Sequence, residues 1–237
     1  MVAAILTIGN ELVSGDVENT NASWLARQLE QLGVKVVLTA AIPDDVDRIV
    51  EFVRRESPRV DHLFVTGGLG GTPDDITREA IAASFGVGQA VVPELAEAIR
   101  ERFPDDPDGY FTRWAALPEG STPLENPRGG APGFRIENVW VLPGLPAEME
   151  LMYQRYTTDI SAGPPIRVWR RLLVGIGERR INPLLQEATD RWPAVSVGSY
   201  PDFLPDGPTV EVVLKSSDPD ALAEAVAFLD NGFDALS

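Results

Sequence analysis

The sequence predicts an α/β protein: a three-layer α/β/α domain over residues 1–160, then a small α+β domain over residues 161–237. Three observations predict it. The first two-thirds of the 237 residues alternates short apolar runs with segments of helical period, as βαβ units do. The third apolar run opens into Gly67-Gly68-Leu69-Gly70-Gly71, the kind of loop that joins a strand to a helix. Composition then shifts at Ser161-Ala162-Gly163-Pro164-Pro165, which reads as a linker.

Each element has its own reason. Residues 2–8 form an apolar run of strand length, and residues 21–32 place Trp24, Leu25, Leu29 and Leu32 on one helical face, with Gly33 as the stop. A second strand follows at 34–40, a second helix at 45–55 and a third strand at 62–66. The next helix is expected over 73–85, with Thr72 at the N-cap, Pro73 at the first position, Asp75 at the third and Gly86 as the stop. Another helix is expected at 93–103. Residues 105–133, rich in Pro, Gly and charge, read as a long excursion over the surface. A short strand at 139–142, the turn Pro143-Gly144-Leu145-Pro146 and a helix at 147–156 complete the larger domain. Beyond the linker come a strand (170–174), a helix (181–192), two strands (195–200 and 209–215) and a helix (219–233). This β-α-β-β-α order is similar to KH-type folds, making the module KH-like, but the Gly-X-X-Gly loop that clamps RNA is missing. With 7 basic and 11 acidic residues between positions 160 and 237, it reads as a structural or dimerising module.

Composition removes much chemistry. Twenty Lys+Arg against 36 Asp+Glu give a formal charge of -16, which offers no positive field to nucleic acid or an anionic membrane. With no cysteine there is no disulfide, no thiolate nucleophile and no cysteine-ligated zinc or iron–sulfur site. His62 is the single histidine, so one chain cannot build a multi-histidine metal site, and a Ser-His-Asp triad would have to use His62. At the head of a strand, His62 reads as structural. Only Lys35 and Lys215 are lysines. A carboxylate-rich, lysine-poor surface suits a halophilic protein solvated at high salt, or an ordinary acidic one. Residues 1–8 lack the basic segment of a secretory signal, and no run approaches the ~20 apolar residues of a membrane span. The expectation is a cytoplasmic protein, with no membrane or nucleic-acid partner.

Ligands of an open parallel sheet bind outside the carboxyl ends of its strands. Four strands here end in turn- or carboxylate-bearing segments: Gly9-Asn10-Glu11, Pro43-Asp44-Asp45, the Gly-rich loop, and Pro143-Gly144-Leu145-Pro146. Strand, bare glycine backbone and helix start together make a phosphate cradle, though neither a P-loop nor a dinucleotide fingerprint. Helix capping by Thr72 and Asp75 explains part of the motif, but not four glycines in five positions. A carboxylate ~5 Å from a phosphate oxygen is repelled by roughly 1 to 3 kcal/mol. Carboxylates beside such a cradle therefore point to a divalent cation between them, Mg²⁺ or another hard ion.

The run Gly-Gly-Leu-Gly-Gly-Thr-Pro-Asp-Asp-Ile-Thr-Arg-Glu-Ala from Gly67 resembles the signature of the MoaB/Mog (molybdopterin-binding) fold, in the form seen in the competence/damage-inducible CinA family. Supporting matches are Ile8-Gly9-Asn10-Glu11-Leu12-Val13-Ser14-Gly15, Asn19-Thr20-Asn21, Asn126-Pro127 with Ala131-Pro132-Gly133-Phe134, and Leu142-Pro143-Gly144-Leu145-Pro146-Ala147-Glu148-Met149. Gly175-Ile176-Gly177-Glu178 and Val197-Gly198-Ser199-Tyr200-Pro201 resemble the family's small second domain. Gly71 stands where the family usually has proline. The sequence ends at Ser237, so the nicotinamide-mononucleotide deamidase domain of full-length CinA proteins is expected to be absent, and its activity is not carried over.

The resemblance implies a nucleotide or pterin ligand, and roles follow at the matched positions. Asp44 and Asp75 would be the catalytic and metal-binding carboxylates, holding Mg²⁺ and orienting an attacking water. Gly67, Gly68, Gly70 and Thr72 would hold phosphate by backbone and hydroxyl. Glu11 would bind a ribose hydroxyl or the metal, or be a solvated loop residue; Asn21 reads as an N-cap or a ligand. Pro143 and Gly144 would form the facing wall, and Gly9 and Asn126 complete the substrate-binding positions. Three functions stay open: hydrolysis of ADP-ribose or a similar dinucleotide pyrophosphate, adenylyl transfer to molybdopterin, and non-catalytic nucleotide or pterin binding. A homo-oligomer, dimer or trimer, is expected.

Overall fold

A computed structural model describes residues 1–205 and 207–236. The chain divides into two compact units, residues 1–30 with 34–163, and residues 31–33 with 164–237.

The larger unit is organised by β1 (Val2–Ile8), whose residues are buried from Ala3 onward. It pairs in parallel with β2 (Lys35–Ile42) on one side and β3 (His62–Thr66) on the other, Ile5 lying opposite both Thr39 and Phe64. β3 pairs in parallel with β8 (Val139–Leu142), and two antiparallel strands, β7 (Gly133–Ile136) and β6 (Thr122–Leu124), extend the edge. The sheet order is β2-β1-β3-β8-β7-β6.

Inner strands of such a sheet read as continuous apolar runs because helices cover both faces. Alternation along the strands divides the burial. Ala4, Leu6 and Ile8, with Leu63 and Val65, pack on Ile49, Phe52 and Val53 of α3 (Val46–Glu56), Ala80 and Ile81 of α4 (Thr77–Phe85), and Ala96 and Ile99 of α5 (Pro93–Arg102). On the opposite face, Phe64 stacks on Trp140 (ring centroids 6.0 Å apart) and touches Tyr153 of α6 (Pro146–Tyr156). Trp24 of α2 (Thr20–Gln31) meets Tyr153 edge-on at 5.3 Å. The result is the expected three layers.

Four expectations are corrected. The helix after the Gly-rich loop begins at Thr77, not at 73. Residues 71–76 form turns instead, with Asp75 N bonded to Thr72 O and Ile76 N to Asp74 O, so Asp75 precedes the helix and cannot be its third residue. The cap of α2 is Asn19, whose Oδ1 accepts from Ala22 N at 3.2 Å, and Asn21 lies inside the helix. The excursion over 105–133 is not plain surface loop. It carries β5 (Ala116–Pro118), which pairs with β4 (Gln89–Val91), as well as β6 and the start of β7. Asn10–Ser14 also forms a short helix, α1, where a loop was expected.

The smaller unit has the expected β-α-β-β-α order: β9 (Arg167–Val174), α7 (Glu178–Arg191), β10 (Ser196–Leu204), β11 (Gly207–Ser216) and α8 (Pro219–Asp234). Its antiparallel sheet runs β10-β11-β9. One face closes on the helices through Leu173, Val210, Val212 and Leu214 against Ile181, Leu185, Leu229 and Phe233. Among the described residues, no helix is long and apolar enough to cross a membrane.

Candidate functional site

The carboxyl ends of β1, β2, β3 and β8 share one edge of the sheet, and the loops leaving them line a cleft of about 530 Å³. From the predicted set, the structure brings Gly9, Glu11, Asp44, Gly67, Gly68, Gly70, Asp75, Pro143 and Gly144 into its walls. Thr72 and Asn126 are not brought there. Thr72 is turned into its own loop, where its amide and hydroxyl both donate to Asp75 Oδ2 (2.8 and 2.5 Å). Asn126 is buried, and its Nδ2 donates to Glu148 Oε2 (2.8 Å) and Ala131 O (3.1 Å). Glu148, which it holds, does line the cleft.

The carboxylates crowd one another. Asp44 Oδ2 accepts from Asn10 N at 2.9 Å. Burial raises the Asp44 carboxyl above its usual range, the charges of Glu11 and Asp74 raise it further, and the Asn10 amide opposes them. The Glu11 carboxylate lies over Gly9, where an added Cβ would sit 2.4 Å from Oε1. Asp75 packs in the same way on Gly70, whose Cβ would sit 2.4 Å from Oδ2. Across the cleft, Gly144 stands against Gly67, with 3.3 Å between an added Cβ and the Gly67 Cα. Asn21 fixes that wall by donating from Nδ2 to Gly144 O at 2.7 Å.

The Gly-rich loop is held from behind. Thr77 Oγ1 donates to Gly67 O (2.8 Å), and Thr77 N to Gly68 O (3.2 Å). Arg78 donates from Nη1 to Leu69 O (2.6 Å) and from Nη2 to Gly70 O (2.7 Å). Four successive carbonyls are thus held by two successive residues. Arg78 is only 6% exposed. Burial pulls its guanidinium below the ordinary arginine value, and the neighbouring Asp75 charge opposes this.

Several cleft residues escaped the sequence reading. Asp74 lines the cleft because no helix turns it away, and Glu148 does so from the first turn of α6. Tyr110, Trp114, Gly130 and Ala131 come from the supposed surface excursion. Gly71 is closed to any side chain: an added Cβ would lie 2.5 Å from Tyr110 O. Two polar atoms of cleft residues, Trp114 Nε1 and Asn21 Oδ1, are buried with no hydrogen-bond partner.

Among the described residues, no group of three or more Asp, Glu or His side chains stands close enough to cage a metal. Mg²⁺ needs no such cage, since it is commonly bound by one or two carboxylates together with substrate phosphates. Oxygen-only donors whose charges already oppose one another at Asp44 fit that cation.

A parallel sheet with a Gly-rich loop and opposed carboxylates at its carboxyl edge defines a class. Residues 4–162 match the family model described as "probable molybdopterin binding domain", and the chain belongs to that family. Within it the chain is CinA-like. A CinA-like protein of Frankia casuarinae is 40% identical over 208 residues, which cover 81% of this chain and 48% of that one. A protein of Pyrobaculum calidifontis is 37% identical over 231 residues, 92% of this chain and 87% of the other. The crystal structure of CinA from Thermoplasma acidophilum, described as of unknown function, has a TM-score of 0.65 at 32% identity and covers 68% of this chain and 98% of that one. Residues 168–236 match a second family model, the middle domain of FAD synthase.

Proposed function

We propose that the cleft hydrolyses a nucleotide diphosphate such as ADP-ribose with the help of a hard divalent cation. The observation that carries this reading is the facing of a Gly-rich loop, its carbonyls all turned away, with the carboxylates of Glu11, Asp44 and Asp74. The loop amides hold the diphosphate oxygens. Asp44 and Asp75 would hold Mg²⁺, which when bound would offset the charge of the phosphates. Asp75 Oδ2 is engaged by Thr72, which would leave Oδ1 for the cation.

Asp44 orients the water and takes its proton. The water oxygen bonds to one phosphorus as the bridging P–O bond breaks, giving AMP and ribose 5-phosphate. The test is incubation of the protein with ADP-ribose and Mg²⁺, with and without chelator. Chelator-sensitive release of AMP and ribose 5-phosphate is expected, and no release at any divalent cation tested would overturn the reading.

The family match favours a second reading, in which the same loop holds a pterin phosphate and the site transfers adenylyl to molybdopterin. AMP turnover that depends on molybdopterin would mark it. Saturable binding with no turnover of either kind would leave a non-catalytic binder.

A further inference from the structure

The peptide group is planar and trans, so the N–H of one residue points opposite to the carbonyl of the residue before it. In the Gly-rich loop, the carbonyls of residues 67, 68, 69 and 70 are all drawn to Thr77 and Arg78. The amides of residues 68, 69, 70 and 71 must therefore point the other way. None of the four donates a hydrogen bond to another described residue. Thr77 is fully buried and Arg78 nearly so, which leaves the clamp on the protein side of the loop and the free amides of the cleft-lining residues 68, 69 and 70 on the cleft side.

We infer that Arg78 is a positioning residue: with Thr77 it presets the Gly-rich loop as a nest of three amides, those of residues 68, 69 and 70, for phosphate oxygens, without itself touching the ligand. The inference rests on the phosphate-binding role proposed for this loop, but not on any turnover.

Arginine suits the task because its rigid fork spans two adjacent carbonyls, whereas lysine presents a single point of charge and can replace at most part of the clamp. The buried cation also has a second effect. Among the cleft-lining residues there is no arginine or lysine, while Glu11, Glu18, Asp44, Asp74, Asp75 and Glu148 are all present. Arg78, behind the loop, supplies a fixed positive charge to a site otherwise lined by carboxylates.

The experiment titrates inorganic pyrophosphate, with Mg²⁺ present, into the protein labelled with ¹⁵N, and follows the amide signals of residues 68–70. In the unaltered protein these signals are expected to move together as the ligand binds, while the amide of Gly15, outside the cleft, stays fixed. Arg78→Met is expected to weaken pyrophosphate binding by at least about tenfold and to scatter the three shifts, with Arg78→Lys between the two. Pyrophosphate binding by a folded Arg78→Met within about twofold of the parent would overturn the inference. If Arg78→Met does not fold, Arg78→Lys and Thr77→Val carry the same comparison. Three amides that fail to respond in the unaltered protein would overturn it without any variant. Responsive amides in a protein that leaves ADP-ribose intact would reject the hydrolase and keep the clamp.

Discussion

Asp44 is held in the cleft at the expense of its own ionisation. Burial and the charges of Glu11 and Asp74 raise its carboxyl, so the ionised form is disfavoured by folding and opposes stability at neutral pH. Asp44→Asn is therefore expected to leave the melting temperature unchanged or higher, while turnover falls by about 10²-fold or more, roughly 2.7 kcal/mol of transition-state stabilisation. A variant that hydrolyses ADP-ribose at the parent rate would remove Asp44 from the machinery. His62 shows the opposite balance. Ser161 O can only accept, so the Nε2 bonded to it at 3.0 Å carries the proton, and the buried Nδ1 has no partner. Burial lowers the pKa of His62 below 6.5, against the Ser161 bond and the charge of Asp61, with Arg135 adding to the lowering. A lowered histidine contributes stability that is present above 6.5 and lost as the pH falls from there through the folded pKa. Between pH 7.5 and 5.5, the parent should lose more melting temperature than His62→Leu; equal losses would show that His62 does not titrate in this way.

At the scale of elements, the turn leaving β3 carries the tightest constraint. Gly67 has φ 104°, and a Cβ there would lie 2.2 Å from Ile8 O at the end of β1. Gly67→Ala is expected to cost at least about 2 kcal/mol in chemical denaturation, as strain plus a backbone clash. Gly15→Ala, also left-handed at φ 83° but facing open space, should show the strain alone, about 1 to 2 kcal/mol. Equal losses in the two would mean that the contact with Ile8 is relieved by movement. Regular elements were legible because their signals are local. The runs at 2–8, 62–66 and 139–142 are strands at those positions, and the loops after four parallel strands do share a cleft. The start of α4 was misread because Thr72-Pro73-Asp74-Asp75 has the composition of a helix start. Yet Thr77 and Arg78 must reach back to four carbonyls, which holds the chain in turns until 77. Asn126 is a related case: the motif marks the position, but only the fold shows that its amide holds Glu148. The strands between 116 and 136 are three or four residues long, two of them containing proline, too short for alternation to register.

For the whole molecule, charge is the dominant fact. At a net -16, lowering the ionic strength to ~0.01 M extends the screening distance to ~30 Å, so carboxylates repel across the surface, whereas in molar salt it is ~3 Å. The melting temperature is expected to be lower in ~0.01 M than in molar KCl. One that is unchanged or higher at low salt would count against a salt-adapted surface. The same distribution governs how a ligand arrives. Enzymes that take anions commonly draw them in with a positive field, and added salt slows the encounter. Here six carboxylates stand around the cleft, and Arg78 is hidden beneath it, felt only at short range. A nucleotide diphosphate would meet a repelling mouth and an attracting floor. Its association rate should rise with ionic strength, and a rate that falls with added salt would mean that the ligand enters by a path those six carboxylates do not guard.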